Sequence, residues 1–147
     1  MRKRKTRPKV FPYPAITITR TAYEVLELAY IAIANKPIRY DHGSSRIAYI
    51  GTTKNGVRRV ANSAAWKAEE LFSRNGVHTL EFYFIATPRR GKQPTYRNFE
   101  RALLLRFRER YGSPPVANMH GKKIRRRDGD DYFTSASIEK ILNDFAL

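Results

Sequence analysis

The apolar periodicity of this chain changes near Asn55, and that change constrains the fold more than any other feature. Two short apolar runs precede it, Leu28-Ala-Tyr-Ile-Ala-Ile33 and Arg46-Ile-Ala-Tyr-Ile50, with the length and β-branched content of buried strands. The first also reads as a helix if it continues to Asn35. Beyond Asn55, Val57, Val60, Ala61, Ala64, Ala68, Leu71 and Phe72 recur on one helical face, and Asn75-Gly76 supplies a stop. Alternation returns from Val77 to Thr87, with Leu80, Phe82 and Phe84 set against Glu81 and Tyr83. The spacing then predicts a helix from Tyr96 to Tyr111, with Phe99, Leu103, Leu104 and Phe107 inward and arginines outward. A last amphipathic helix runs through Ile138, Ile141, Leu142 and Phe145. This order predicts an α+β fold, a small three-stranded antiparallel sheet flanked by helices with basic arms at its termini.

A chain of 147 residues has the length of one domain. Residues 1–20 open with a basic run punctuated by Pro8, Pro12 and Pro14, which cannot close a core and reads as a mobile arm. Thr21-Ala-Tyr-Glu24 has the form of a capping box, so a short helix is expected there, opening a domain over 21–122. Residues 35–45, with Pro37, Gly43 and two serines, read as a loop. The segment 123–147 holds a basic run, an acidic run and the last helix, packed on the domain.

Twenty-nine Lys and Arg against thirteen Asp and Glu leave a net charge of +16, which points to a polyphosphate partner, with nucleic acid, DNA or RNA, as the leading class. A membrane surface or a ribosomal assembly fits the same charge. The absence of cysteine excludes disulfides, thiolate zinc sites and cysteine nucleophiles. Prolines and charges interrupt the N-terminal region where a secretion signal would be apolar, and the longest apolar run, 22–38, carries Glu24, Glu27 and Lys36. An intracellular protein, cytoplasmic or nucleoid-associated, with no membrane partner is expected.

Tyr49-Ile50-Gly51 and the following Thr52-Thr-Lys-Asn-Gly-Val-Arg58-Arg59 set a tyrosine, a lysine and an arginine around one strand-to-helix turn. Phosphodiester hydrolysis needs an activated water, charge stabilisation on the phosphoryl oxygens and help for the leaving oxygen. Tyr49 is a candidate base, but a free phenol titrates near pH 10 and needs cations beside it, which Lys54 and Arg59 are expected to supply. Arg59 can also fork onto two phosphate oxygens, a geometry lysine reproduces poorly. Its neighbour Arg58 reads as a solvated or phosphate-contacting charge.

These residues resemble the GIY-YIG nuclease family over roughly Leu28 to Asn118. Tyr49-Ile50-Gly51 matches the second half of the name motif, Thr52 to Asn55 resembles its continuation, and Arg59 stands where the first helix carries an arginine. Glu100, in Phe99-Glu-Arg-Ala-Leu-Leu-Leu105, resembles the glutamate of the second helix, and Asn118 after Pro114-Pro-Val-Ala resembles the closing asparagine. The first half-motif departs from the family pattern. Leu28-Ala29-Tyr30 and Ile38-Arg39-Tyr40 both offer themselves, and Tyr30 is preferred because an apolar strand suits the centre of a sheet. Ser63 stands where many members carry histidine.

The resemblance implies a metal-dependent endonuclease with Tyr49, Arg59, Glu100 and Tyr30 at its centre and Lys54 and Asn118 in support. Glu100 would hold Mg²⁺ or Mn²⁺, a hard cation that needs only one or two protein carboxylates. Read without the family, Glu100 is a surface carboxylate paired with Arg97. Asn118 would order the second helix and the wall of the site, and which of Tyr30, Tyr40 and Tyr49 moves the proton stays open. Arg89, Arg90 and Lys92 in the loop 88–94, with Lys122 and Lys123, are expected to contact nucleic acid. His42, His78 and His120 are too scattered for zinc, and Asp128-Gly-Asp-Asp131 lacks the ligand spacing of a calcium loop. The alternative reading is a basic nucleic-acid-binding protein without catalysis.

Overall fold

A computed structural model describes residues 6–73, 76–118 and 131–147. Its elements are β1 (Leu28–Tyr40), β2 (Gly43–Thr53), α1 (Gly56–Phe72), β3 (Leu80–Ile85), α2 (Tyr96–Tyr111) and α3 (Ser135–Ala146). The three strands form one antiparallel sheet in the order β2-β1-β3, an α+β architecture. With both edges paired, β1 runs through the middle of the molecule, and Ala29, Ile31, Ala32 and Ala34 are buried completely. The run 28–33 is therefore strand. Partners on both sides take up its backbone groups, and a helix there would leave the facing edges of β2 and β3 unpaired.

One sheet face carries Ile31, Ile33, Ile47 and Ile50 and packs on Phe99, Leu103 and Phe107 of α2 and on Ile138 and Leu142 of α3. Each such side chain contributes roughly 1.5–3 kcal/mol on burial. An irregularity in the ladder makes this face possible. Ala32 pairs with Tyr49 but the next residue, Ile33, pairs with Ile47, so Ala48 is an extra residue on β2. The bulge reverses the alternation, and Ile47 and Ile50, three apart in sequence, both reach the core while Tyr49 faces the other way.

Several expectations are corrected. Residues 21–27 form no helix, and Thr21 to Leu26 are exposed, so little burial offsets the cost of helix nucleation. Leu26 instead accepts a backbone hydrogen bond from Gly56, at the start of α1. The segment 35–45 is not a loop, since β1 continues to Tyr40 and β2 begins at Gly43 after a two-residue turn. Tyr40 holds this extension down, its hydroxyl donating to the Ile47 carbonyl at 2.7 Å and accepting from the Val116 amide at 3.1 Å. The third strand is shorter than 77–87, and on α1 Ala61 and Phe72 face solvent. Residues 6–20 carry no regular structure and are exposed.

The hairpin tip leans on the end of α2. Gly112 takes a left-handed φ of 79° to cap the helix, and a Cβ there would lie 2.9 Å from both Asp41 Cβ and His42 Nδ1. His42 donates its amide to the Tyr111 carbonyl at 3.0 Å. Thr134 caps α3 by accepting from the Ser137 amide, and Arg110 of α2 ties that helix down through Glu139 at 3.0 Å. Among the described residues no helix is long and apolar enough to cross a membrane.

Candidate active site

The sheet register brings two tyrosines together on the face away from α2. Tyr30 lies opposite Gly51 and Ala32 opposite Tyr49, so Tyr30 and Tyr49 are diagonal neighbours, their rings 5.6 Å apart and inclined by only 30°. Gly51 leaves the space they occupy. A Cβ there would stand 2.5 Å from Tyr49 Cε1 and 3.0 Å from the Tyr30 hydroxyl. The glycine of the Tyr-Ile-Gly triplet is thus required by close packing rather than by backbone conformation. Phe82 and Phe84 of β3 flank Tyr30 with ring separations of 6.1 and 5.6 Å. Tyr30 is 2% exposed, whereas Tyr49 is half-buried.

Helix α1 covers the pair with a cation that the motif around Tyr49 did not reveal. Lys67 Nζ donates to the Tyr30 hydroxyl at 2.6 Å and lies 4.5 Å from the centre of the Tyr49 ring. Arg59, Ser63 and Lys67 follow at i, i+4 and i+8 and share one helix face. Ser63 bonds back to the carbonyl of Val60, leaving the next turn to reach the sheet. That spacing, read from Arg59, was the available signal for Lys67. Arg59 itself is exposed, yet its charge acts on both Tyr30 and Lys67.

Glu100 is buried, 5% exposed, and so is not a surface carboxylate. Burial first, then the Tyr49 phenol and the Glu100 carboxylate, push Tyr30 well above the ordinary phenol range, with Arg59 opposing. Tyr49 is also raised, by burial first. The neighbouring Tyr30 hydroxyl opposes that rise, and Glu100 adds to it. Burial and then Arg59 hold Lys67 below the usual lysine range. The expectation that Lys54 and Arg59 would depress the Tyr49 phenol is therefore corrected. Burial and the Glu100 carboxylate raise it, and Lys54 is exposed just after β2 and lines a separate groove.

Asn118 works on the backbone. Its side chain accepts from the Ile50 amide at 3.0 Å and donates to the Ile50 carbonyl at 2.7 Å, closing the outer edge of β2 beside Tyr49 as a paired strand would. Tyr40 is apart from the cluster. It packs on Phe107 and Tyr111 in the core against α2, and burial pushes its phenol up to about 12.

Of the residues expected to contact nucleic acid, Arg58, Arg89, Arg90 and Lys92 are all exposed. Arg89 pairs with Glu27 at 3.0 Å and donates to the Lys92 carbonyl, and Arg90 donates to the Asp131 carbonyl and stacks on Tyr132. Lys122, Lys123 and His120 lie outside the described residues, as do Asn75 and all of the acidic run 128–131 except Asp131.

Among the described residues no group of three or more His, Cys, Asp and Glu gathers to hold a metal. The Glu100 carboxylate, whose charge acts on both phenols, is an oxygen donor of the kind a hard cation takes. Comparison with protein-family models, with curated proteins and with solved structures gave no match.

Proposed function

We propose that this chain is a GIY-YIG-type endonuclease that hydrolyses phosphodiester bonds in DNA with a divalent metal. The observation that carries the reading is the stacking of Tyr30 on β1 against Tyr49 on β2, with Lys67 of α1 against both rings and the charge of Glu100 acting on both phenols. Arg59, exposed at the mouth, forks onto the non-bridging oxygens of the scissile phosphate. Tyr49, the more accessible phenol, releases its own proton to solvent and as phenolate takes the proton of the attacking water. Tyr30 keeps its own proton, and Lys67 beside both rings balances the charge that develops on the pair. Glu100 would hold a divalent metal, Mg²⁺ or Mn²⁺, which would supply Lewis-acid stabilisation of charge on the phosphate and the leaving oxygen. A substrate of this kind implies action in the cytoplasm or at the nucleoid.

The raised Tyr30 and Tyr49 phenols favour one other reading, a basic nucleic-acid-binding protein without catalysis. Cleavage of supercoiled plasmid and branched DNA at low salt with Mg²⁺, Mn²⁺ or EDTA separates the two. The nuclease reading expects metal-dependent cutting that disappears in Glu100→Gln and Arg59→Ala while binding survives. Binding with no cutting on any substrate, identical in wild type and Glu100→Gln, leaves the binding protein.

A further inference from the structure

Helix α1 turns the only tryptophan of the chain out to solvent. Trp66 is 84% exposed, and among the described residues it has neither a ring contact nor a hydrogen bond. A lone exposed apolar side chain is ordinary on a protein surface. The position of this one is not, because Trp66 directly precedes Lys67, the residue that joins α1 to Tyr30.

The helical period fixes its neighbours. Arg59 and Trp66 are seven residues apart, so they stand about 20° apart around the axis and about 10.5 Å apart along it. Ser63 and Lys67, both partly buried, lie between this row and the sheet. Trp66 therefore borders the tyrosine pair on the same side as Arg59. The separation corresponds to about three stacked nucleotides at about 3.4 Å each, and to fewer once a strand is drawn out.

Charge along α1 separates two kinds of contact. Arg58 and Arg59 lie in its first turn, whereas Glu69 and Glu70 follow within one turn of Trp66. Carboxylates repel phosphate but not an uncharged base, so the first end suits backbone and the indole suits a base. Every base offers a π-face to an aromatic ring, and in a continuous duplex that face is covered by the neighbouring bases. A protein covering the indole would also have to desolvate the charges around it.

We propose that Trp66 is a stacking platform for an unpaired DNA base within a few nucleotides of the phosphate held at Arg59. The platform rests on the nuclease reading for that phosphate, but binding alone detects it. It makes the preferred substrate single-stranded or branched DNA.

The test is binding of a single-stranded DNA oligonucleotide and of its duplex in EDTA, read by the fluorescence of the sole tryptophan and by the anisotropy of a labelled strand. The single strand is expected to quench Trp66 saturably, and the duplex far less. Trp66→Ala is expected to weaken single-strand binding about 5- to 100-fold and to leave duplex binding almost unchanged. The slope of log affinity against log salt should stay at the wild-type value, because no phosphate contact is lost. Trp66→Phe should recover most of the loss, and Phe72→Ala, exposed on another face of the same helix, should lose almost nothing. An unquenched tryptophan, equal weakening on both DNAs, or wild-type single-strand affinity in Trp66→Ala overturns the platform. So does a loss of self-association in Trp66→Ala at unchanged DNA affinity, which assigns the indole to a protein contact. Plasmid and branched-DNA cleavage is measured in parallel. Quenching and selective weakening with no cleavage remove the nuclease reading and keep the platform, whereas cleavage with neither does the reverse.

Discussion

The ammonium of Lys67 donates to the hydroxyl of Tyr30 at 2.6 Å, joining the middle of α1 to the centre of the sheet. Burial draws the two groups in opposite directions, the phenol up and the amine down, so Tyr30 holds its proton tightly and Lys67 holds its own loosely. Lys67→Met keeps the apolar stem against the rings and removes only the charge and the donor. The cleavage rate under single turnover is expected to fall about 10²-fold with oligonucleotide affinity nearly unchanged. A rate within twofold of wild type would remove Lys67 from the proposed chemistry.

Gly51→Ala puts a methyl group 2.5 Å from Tyr49 Cε1. The rings must separate, and since Tyr30 is buried on the central strand between β2 and β3, the expected loss of stability is about 1–3 kcal/mol. Chemical denaturation measures it, and the cleavage rate should fall further than that destabilisation explains, because the two phenols lose their register.

Tyr40→Phe distinguishes the tyrosines. It removes the hydroxyl that bonds both Ile47 and Val116, at a cost of about 1–3 kcal/mol, yet should leave cleavage by the folded protein unchanged. Alkaline titration gives an independent check. Burial raises the Tyr40 phenol, the Val116 hydrogen bond opposes, and Tyr111 adds, giving a value of about 12 against the ordinary 10.0. Stability from this group is present in full below pH 10 and is lost as pH rises from 10 to about 12, on the order of 2–3 kcal/mol. Tyr40→Phe should flatten that part of the alkaline unfolding curve.

Asn118→Ala opens both hydrogen bonds to Ile50 at the outer edge of β2. The expected cost is about 1–2 kcal/mol, read by denaturation, with faster amide exchange at Ile50 than at the central-strand residue Ile31. An Ile50 amide that exchanges at the wild-type rate would mean the loop after α2 holds the edge without Asn118.

The sequence by itself determined the elements whose signal is local. Helix α2 runs from Tyr96 to Tyr111 because apolar residues repeat at the helical period between Thr95 and Gly112, and the same holds for α1, whereas the apolar run 28–33 read as strand or helix. The grouping of Tyr49, Arg59 and Glu100 was legible as a motif with ordered spacing, but not as geometry. Only the tertiary structure decided that 35–40 stays extended, since Pro37 and two charges there read as loop until Tyr40 finds its partners across the hairpin and after α2. It alone decided that Ala48 bulges, because register follows from which face the sheet buries. It also decided that Lys67, and not Lys54, meets the tyrosines. Periodicity assigns a residue to a face of its own helix, but the approach of that helix to a sheet fixes what the face meets.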